Sequence, residues 1–156
     1  ERHAELEARV RPEVELVDLA RSTEAIDFKD CRELLAGEQI GRLGVIVDGR
    51  PEIFPVNYGL DGDGIVFRTN QGRKMLGLPG DVVFEVDRID LKERSGWSVI
   101  VHGRAEDISQ FDSPRLRERA GTPWTGPKDI LVRISPTLVT GRRVHAVPAS
   151  PEVEAP

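Results

Sequence analysis

The stretch GRLGVIVDGRPEIFPVNYGLDGDGIVFRT, at residues 41–69, decides the fold. Val, Ile, Leu and Phe recur in three short segments of it, at residues 41–47, 50–60 and 65–69. Asp48-Gly49 separates the first two segments and Asp61-Gly62-Asp63-Gly64 separates the last two. Because Asp-Gly pairs favour tight hairpin turns, the sequence predicts three antiparallel strands joined by short turns.

Three further strands are predicted along the rest of the chain. Segments rich in β-branched residues lie at 81–87, 97–108 and 130–144. Pro51 and Pro55 in the second strand indicate an edge or an irregular section, because proline has no N–H to give to a neighbouring strand. Six short strands without long helices between them favour a closed or nearly closed antiparallel barrel over a doubly wound parallel sheet.

Short helices are predicted at three places between the strands. Asp27 is a good N-cap residue for the first helix, and Gly37 is placed to end it. Between them, four apolar residues fall on one helical face: Phe28, Cys31, Leu34 and Leu35. The other two helices are predicted at residues 73–78 and 114–120, so the fold class is mainly β with short helices.

The composition is that of one globular domain, with 156 residues, 38% hydrophobic and 31% charged. We assign residues 23–145 to the domain, residues 1–22 to a charged N-terminal arm, and residues 146–156 to a tail that we expect to be disordered. A net charge of −5 argues against nucleic-acid binding. No apolar run reaches the roughly 18 residues that a membrane span needs, and no signal peptide is visible, so we expect a cytoplasmic protein.

A basic stretch at residues 68–74 is the first candidate site. Arg68 and Thr69 end a predicted strand, and Arg73 and Lys74 open a predicted helix. Guanidinium, ammonium, hydroxyl and free backbone N–H groups are the donors that bind a phosphate. The spacing indicates a phosphate site, and it is also compatible with an ordinary basic loop.

Three other places combine flat apolar surface with a polar group. Residues 54–58 join two aromatic side chains to a proline and an amide, Trp97 stands beside Ser98, and Trp124 lies in a turn-rich loop before Arg133 on the last strand. Each place also has an interpretation without a ligand. In order, these are a kinked edge strand, a tryptophan of the core, and a loop that covers the end of the barrel.

Metal and nucleophile chemistry find no support in the sequence. His3, His102 and His145 have no metal-ligand spacing, and the single Cys31 excludes an intramolecular disulfide. No nucleophile motif or nucleotide-binding glycine loop is present. We therefore predict no metal site and identify no catalytic side chain.

With residues 82–87 (VVFEVD) and 96–108 (GWSVIVHGRAEDI), these segments resemble the pyridoxamine 5′-phosphate oxidase-like FMN-binding split-barrel family. The resemblance covers about residues 27–143 and is closer to the small, single-domain, uncharacterised members. It implies a six-stranded antiparallel split β-barrel that forms a homodimer, with FMN at the subunit interface. It also implies an FMN-dependent oxidoreductase that acts on a small molecule.

The resemblance further implies which residues bind the cofactor. The phosphate would be held by Arg68, Thr69, Arg73 and Lys74. The isoalloxazine ring would be lined by Pro55, Val56 and Asn57, and contacted by Trp97 and Ser98. Two more side chains resemble the family's Trp and Arg that reach the flavin from the partner subunit, namely Trp124 and Arg133. Asn57 and Ser98 are the candidate donors for stabilising a reduced flavin, whereas no residue set matches a pyridoxal phosphate site, so the substrate is unassigned.

Other functions fit the same sequence. The deazaflavin F420 could occupy the site in place of FMN, since some relatives use it. A protein that binds flavin or haem without turnover would also lack an identifiable catalytic side chain. A purely structural dimeric barrel would bind no cofactor at all.

Overall fold

The computed structural model describes residues 23–124 and 126–146. This part of the chain contains eight strands, three short helices and one 3₁₀ turn. The strands are β1 (Thr23–Ile26), β2 (Ile40–Val47), β3 (Arg50–Asn57), β4 (Gly59–Asp61), β5 (Gly64–Thr69), β6 (Gly80–Asp90), β7 (Ser95–Asp107) and β8 (Ile130–Val144). The helices are α1 (Phe28–Ala36), α2 (Arg73–Leu76) and α3 (Pro114–Arg119), and the 3₁₀ turn spans Ser109–Phe111. The predicted arm, residues 1–22, and all but the first residue of the predicted tail lie outside the described residues.

The described strands form one antiparallel sheet, in the order β3-β2-β6-β7-β8-β5-β4, with β1 paired to the end of β8. Buried side chains from β2, β3, β5, β6, β7 and β8 belong to a single hydrophobic cluster, so the sheet curls around its own core. The predicted antiparallel split barrel is therefore confirmed, with eight strands in place of six.

The first hairpin forms where the sequence predicts it. Asp48 and Gly49 have φ angles of 51° and 74°, and Val47 pairs with Arg50 across the turn. Positive φ at both central residues is the geometry that fits the twist of two adjacent strands, and Asp-Gly adopts it readily. The turn fixes the register of β2 and β3 along their whole length, up to the pair Ile40 and Asn57.

The predicted strand at 50–60 is two strands, because the chain changes its partner at Tyr58. β3 pairs with β2 up to Asn57, whereas β4 pairs with β5 from Gly59 onward. Tyr58 is buried between them, its backbone N–H donates to the Gln39 carbonyl (3.0 Å), and its hydroxyl donates to the Leu35 carbonyl. Gly59 is required next to it, because a Cβ there would lie 1.5 Å from the Arg119 carbonyl oxygen of α3.

The remaining differences lie at strand ends. β1 was not expected as a strand, and it forms by pairing Ile26 with Gly141 of β8, against the side chain of Cys31. The predicted polar connection at 89–96 is shorter than expected, a turn at residues 91–94, because β6 and β7 stay paired as far as Asp90 and Ser95.

The first helix matches its prediction. The Asp27 carboxylate accepts a hydrogen bond from the Asp30 backbone N–H (2.8 Å), which caps the helix. Cys31 and Leu35 are buried, and the helix ends at Gly37. None of the helices in the described ranges has the length and apolar character needed to cross a membrane.

Phe84 of β6 is a central residue of the hydrophobic core, and its replacement tests how the core is packed. The ring is fully buried and meets Tyr58 edge-on, with 5.1 Å between the ring centroids. Phe84→Ala should lower the free energy of unfolding by about 3–5 kcal/mol, because it empties a closed aromatic site. Phe111→Ala removes a ring that is 65% exposed and should change it by only about 0.5 kcal/mol. Urea unfolding of both variants measures the difference, and equal effects would show that the core is not centred on Phe84.

Candidate functional site

A cavity of about 310 Å³ lies where the ends of β3 and β5 meet α2 and the loop that connects α3 to β8. We call it the cation cavity. Its lining residues are Ile40, Pro55, Val56, Asn57, Arg68, Lys74, Ala120, Pro123, Trp124 and Lys128. The cavity therefore brings together residues from both predicted halves of the site, the strand end at 55–57 and the basic stretch at 68–74.

The end of β3 forms one wall. Pro55 is exposed, Val56 is buried and Asn57 is half-buried, as expected for the last residues of a strand beside an opening. Asn57 pairs with Ile40, so the first residue of β2 adds an apolar side chain to the same wall. Since the chain turns away at Tyr58, this wall ends at Asn57.

Three cations also line the cavity: Arg68 from β5, Lys74 from α2, and Lys128 from the loop. None of the lining residues is acidic. Within residues 23–124 and 126–146, no carboxylate lies within 4 Å of these three charges. Such a concentration of unpaired positive charge favours an anion.

Arg68 is anchored but not fully satisfied. Its Nη2 donates to the Gly121 carbonyl (3.1 Å), whereas its Nε is buried and has no hydrogen-bond partner in the described part of the chain. A buried N–H of a charged group that lacks a partner is costly. A phosphate oxygen in the cavity is the kind of acceptor that this side chain lacks.

Lys74 is held in an unfavourable environment for its charge. Burial lowers the pKa of its ammonium below the usual value, and the charge of Lys128 lowers the pKa further. The Phe54 ring lies beneath the ammonium, with 5.6 Å from Nζ to the ring centroid, which offsets part of this cost. An anion beside it would favour the protonated form of Lys74.

Two residues of the predicted phosphate site do not line the cavity. The Arg73 guanidinium donates two hydrogen bonds to the Glu52 carboxylate instead. Thr69 is buried, and its hydroxyl donates to the Asn70 carbonyl (3.2 Å). Arg73 and Lys74 are adjacent, yet only Lys74 reaches the cavity.

The predicted aromatic contacts are also divided. Trp124 lies at the mouth of the cation cavity of its own chain, with 72% of its surface exposed. Trp97 is 8% exposed and belongs to the core, while Ser98 is half-buried beside it on β7 and pairs with Asp87 and Arg142. Arg133 donates to the Asp61 carbonyl (3.2 Å) and the Ser135 hydroxyl (2.9 Å), away from the cavity.

The fold has counterparts among known proteins. The family model described as pyridoxamine 5′-phosphate oxidase matches residues 27–143. The chain belongs to the pyridoxamine 5′-phosphate oxidase family. This confirms the family that the sequence resembles, and the match includes every residue that lines the cavity.

Individual members of the family are similar over most of the chain. An uncharacterized protein of Mycobacterium tuberculosis is 31% identical over 140 residues, which cover 85% of this chain and 92% of the relative. The structure of a FAD-binding protein from Mycobacterium smegmatis is similar at 30% identity and a TM-score of 0.62, covering 80% of this chain and 100% of that one. A conserved protein of unknown function from Corynebacterium diphtheriae is similar at 31% identity and a TM-score of 0.67, covering 80% and 99%.

Lys128 is the charged residue of the cavity that sequence reasoning missed. It lies in the loop before β8, far along the chain from the basic stretch, and no motif marks it. The family resemblance pointed only to Trp124 and Arg133 in this region. The three-dimensional structure alone shows that Lys128 lies near Lys74.

No group of three or more His, Cys, Asp or Glu side chains suited to a metal ion occurs in the described residues of this family member.

The Arg73–Glu52 ion pair allows a test of the finding that Lys74 lines the cavity while Arg73 binds Glu52. Its hydrogen bonds, followed by its charge, hold the pKa of Glu52 below the usual glutamate value. The pair therefore contributes to stability above the unfolded pKa of glutamate, and the contribution is lost as the pH falls through the lower folded pKa. Carboxyl NMR titration should show the Glu52 pKa moving up in Arg73→Ala.

Arg50→Ala is the matched control, because Arg50 is the weakest of the charges that lower the pKa of Glu52. It should move that pKa less than Arg73→Ala does. An unchanged Glu52 pKa in Arg73→Ala would mean that Arg73 is free to serve the cavity.

Proposed function

We propose that this chain binds a flavin, with FMN as the cofactor, and that it acts as an FMN-dependent oxidoreductase on a small molecule. The observation that carries the proposal is the cation cavity, which Arg68, Lys74 and Lys128 line together with the strand end at 55–57, and whose lining contains no acidic residue. The similar protein from Mycobacterium smegmatis, which binds FAD, supports a flavin as the ligand class.

The residues of the cavity fit a phosphorylated flavin. A phosphate monoester carries about −1.5 to −2 charges at neutral pH, and three cations offset this. The buried and unpartnered Nε of Arg68 provides a donor that is already desolvated. We expect Arg68 and Lys74 to hold the phosphate and the surfaces of Val56, Ile40 and Trp124 to hold the ring.

The chain's contribution to the chemistry is binding and orientation. A bound flavin supplies two-electron transfer at its ring. Among the described residues that line the cavity there is no Asp, Glu, His, Cys or Tyr, and we assign its two lysines to the phosphate rather than to proton transfer. Asn57 is the polar side chain of the ring wall, and its amide can donate to a ring oxygen and so stabilise negative charge there.

We also propose that the protein is a homodimer with the cofactor at the subunit interface. A row of mostly apolar residues crosses five neighbouring strands on the outer face of the sheet: Ile53, Gly44, Val83, His102 and Leu138. Ile53 is 71% exposed and Leu138 is 54% exposed. Contiguous apolar surface of this kind is typical of an interface.

Three of the predicted cofactor residues lie outside the cation cavity of their own chain, namely Trp97, Ser98 and Arg133. A second subunit would have to bring them to the flavin.

The first test is cofactor retention. Purified protein mixed with excess FMN and freed of unbound ligand should keep flavin absorbance at about one FMN per chain. The double variant Arg68→Ala with Lys74→Ala should weaken FMN binding by roughly 100-fold or more, because it removes two charge-assisted contacts to the phosphate. Arg73→Ala is the matched control, since Arg73 is paired with Glu52, and it should bind FMN nearly as well as wild type.

Equal FMN affinity in the double variant would rule out the cavity as the phosphate site. FAD and F420 titrated in parallel identify the preferred cofactor. Reduction of the loaded protein by NAD(P)H or dithionite, followed by reoxidation with added acceptors, then tests the activity. Bound FMN that turns over no faster than free FMN would contradict the oxidoreductase and favour a binding protein.

The proposed dimer predicts that a charge in the exposed apolar row separates the subunits. Ile53→Glu places a charge at the β3 end of the exposed apolar row and should convert a species of twice the 17.3 kDa chain mass into a monomer. Light scattering after gel filtration measures this. Leu91→Glu is the matched control, because Leu91 is exposed in the β6–β7 turn, outside the row. A wild-type monomer, or an unchanged dimer in Ile53→Glu, would contradict the proposed interface.

A further inference from the structure

We propose that Lys128 makes the cation cavity selective for a phosphate monoester, so that it distinguishes FMN from unphosphorylated riboflavin. The inference rests on the proposed flavin site and adds a residue that neither the sequence motifs nor the family resemblance assign. The inference concerns which flavin the site prefers, whereas the proposed function assigns Arg68 and Lys74 to holding the phosphate.

The position of Lys128 is fixed by contacts at both ends of its loop. The Arg68 guanidinium donates to the Gly121 carbonyl (3.1 Å), and the Asn70 side-chain amide donates to the Pro127 carbonyl (3.5 Å). Both donors belong to the end of β5 or the residue after it. The loop is therefore fastened to the segment that carries Arg68, and Lys128 follows directly after the second contact.

The Lys128 ammonium does not form an ion pair with a carboxylate of the described residues. In the described ranges, no carboxylate lies within ion-pair distance of it, although the surface cations Arg32, Arg73 and Arg117 each have one. Lys128 instead lines the same cavity as Lys74, and its charge is close enough to lower the pKa of the Lys74 ammonium. The two like charges repel each other in the unliganded protein, and an anion between them would remove that repulsion.

A third cation matters because of the charge of the ligand. Arg68 has part of its charge offset by Asp112, whose carboxyl pKa is lowered mainly by Arg117 and to a small extent by Arg68. Arg68 and Lys74 alone would thus balance a dianion only in part. Lys128 supplies the missing charge, and riboflavin, which has no phosphate, would gain nothing from it.

The pH dependence gives a signature that a merely structural residue would not produce. Lys74 shares the cavity with Lys128 from the loop and Arg68 from β5, while the Glu52 carboxylate of β3 accepts hydrogen bonds from Arg73. The pKa of Lys74 is lowered by burial and then by Lys128, so FMN affinity should fall as the pH rises through this lowered value. Lys128→Ala should raise the pKa of Lys74, which moves the alkaline loss of affinity to higher pH.

The experiment measures FMN and riboflavin affinities by flavin fluorescence in wild type, Lys128→Ala, Lys128→Arg and Lys92→Ala. In Lys128→Ala, FMN affinity should fall by roughly tenfold or more at neutral pH, because one charge-assisted contact is lost, while riboflavin affinity stays unchanged. Lys128→Arg should retain the preference for FMN. Lys92 is an exposed lysine of the β6–β7 turn, and its removal should have no effect.

A second readout needs no flavin. NMR of ¹³C-methylated lysines in the unliganded protein should show the pKa of Lys74 rising in Lys128→Ala and not in Lys92→Ala. If wild type prefers FMN and Lys128→Ala keeps the same FMN-to-riboflavin ratio, the inference fails and the proposed function stands. If wild type binds FMN no better than riboflavin, the phosphate site itself fails and the inference falls with it.

Discussion

The buried Tyr58 is the constraint on which the rest of the structure depends. Its backbone is held by Gln39, its hydroxyl by the Leu35 carbonyl of α1, and its ring by Phe84 of β6. Burial of the phenol raises its pKa well above the usual tyrosine value, so the hydroxyl remains a donor at any physiological pH. At this residue the chain passes from β3, at one edge of the sheet, to β4, at the other edge. The cation cavity lies beside this crossing, against the end of β3.

The charges of the protein are arranged in two ways. The chain has a net charge of −5, and many of its surface cations are paired, such as Arg42 with Glu85 and Asp87, and Arg88 with Glu38. Exposed pairs of this kind contribute little to stability. The three cations of the cavity are a contrasting set, because they share one cavity and, among the described residues, none has a carboxylate within ion-pair distance. Stability gains nothing from that arrangement, which is why we assign it to ligand binding.

Much of the fold followed from the sequence, because local signals agreed with one another. The Asp48-Gly49 turn, the Asp27 cap and the β-branched segments each acted over a few residues, and each formed as expected. The change of strand partner at Tyr58 was missed, since a strand that continues and one that switches neighbours have the same local pattern. β1 was missed for a similar reason, because a strand of four residues exists only through its pairing with β8.

The site was harder to predict because side-chain direction is not a local property. The sequence placed Arg73 and Lys74 together, and only the approach of Glu52 from β3 decided that Arg73 turns away. Lys128 reaches the cavity through the fold of a long loop, which no spacing rule describes. The sequence thus located the strand end at 55–57 and two of the three cations, and could not supply the third.

The two prolines of β3 have a consequence for how copies of this chain can meet. β3 is the last strand on its side of the sheet, and a free strand edge is a template for uncontrolled pairing with other chains. Pro51 and Pro55 lie four residues apart, so they have the same orientation on the strand, and neither offers an N–H to an added strand. Addition of a further strand at this edge, during or after folding, is therefore disfavoured, although β3 carries exposed apolar side chains such as Ile53.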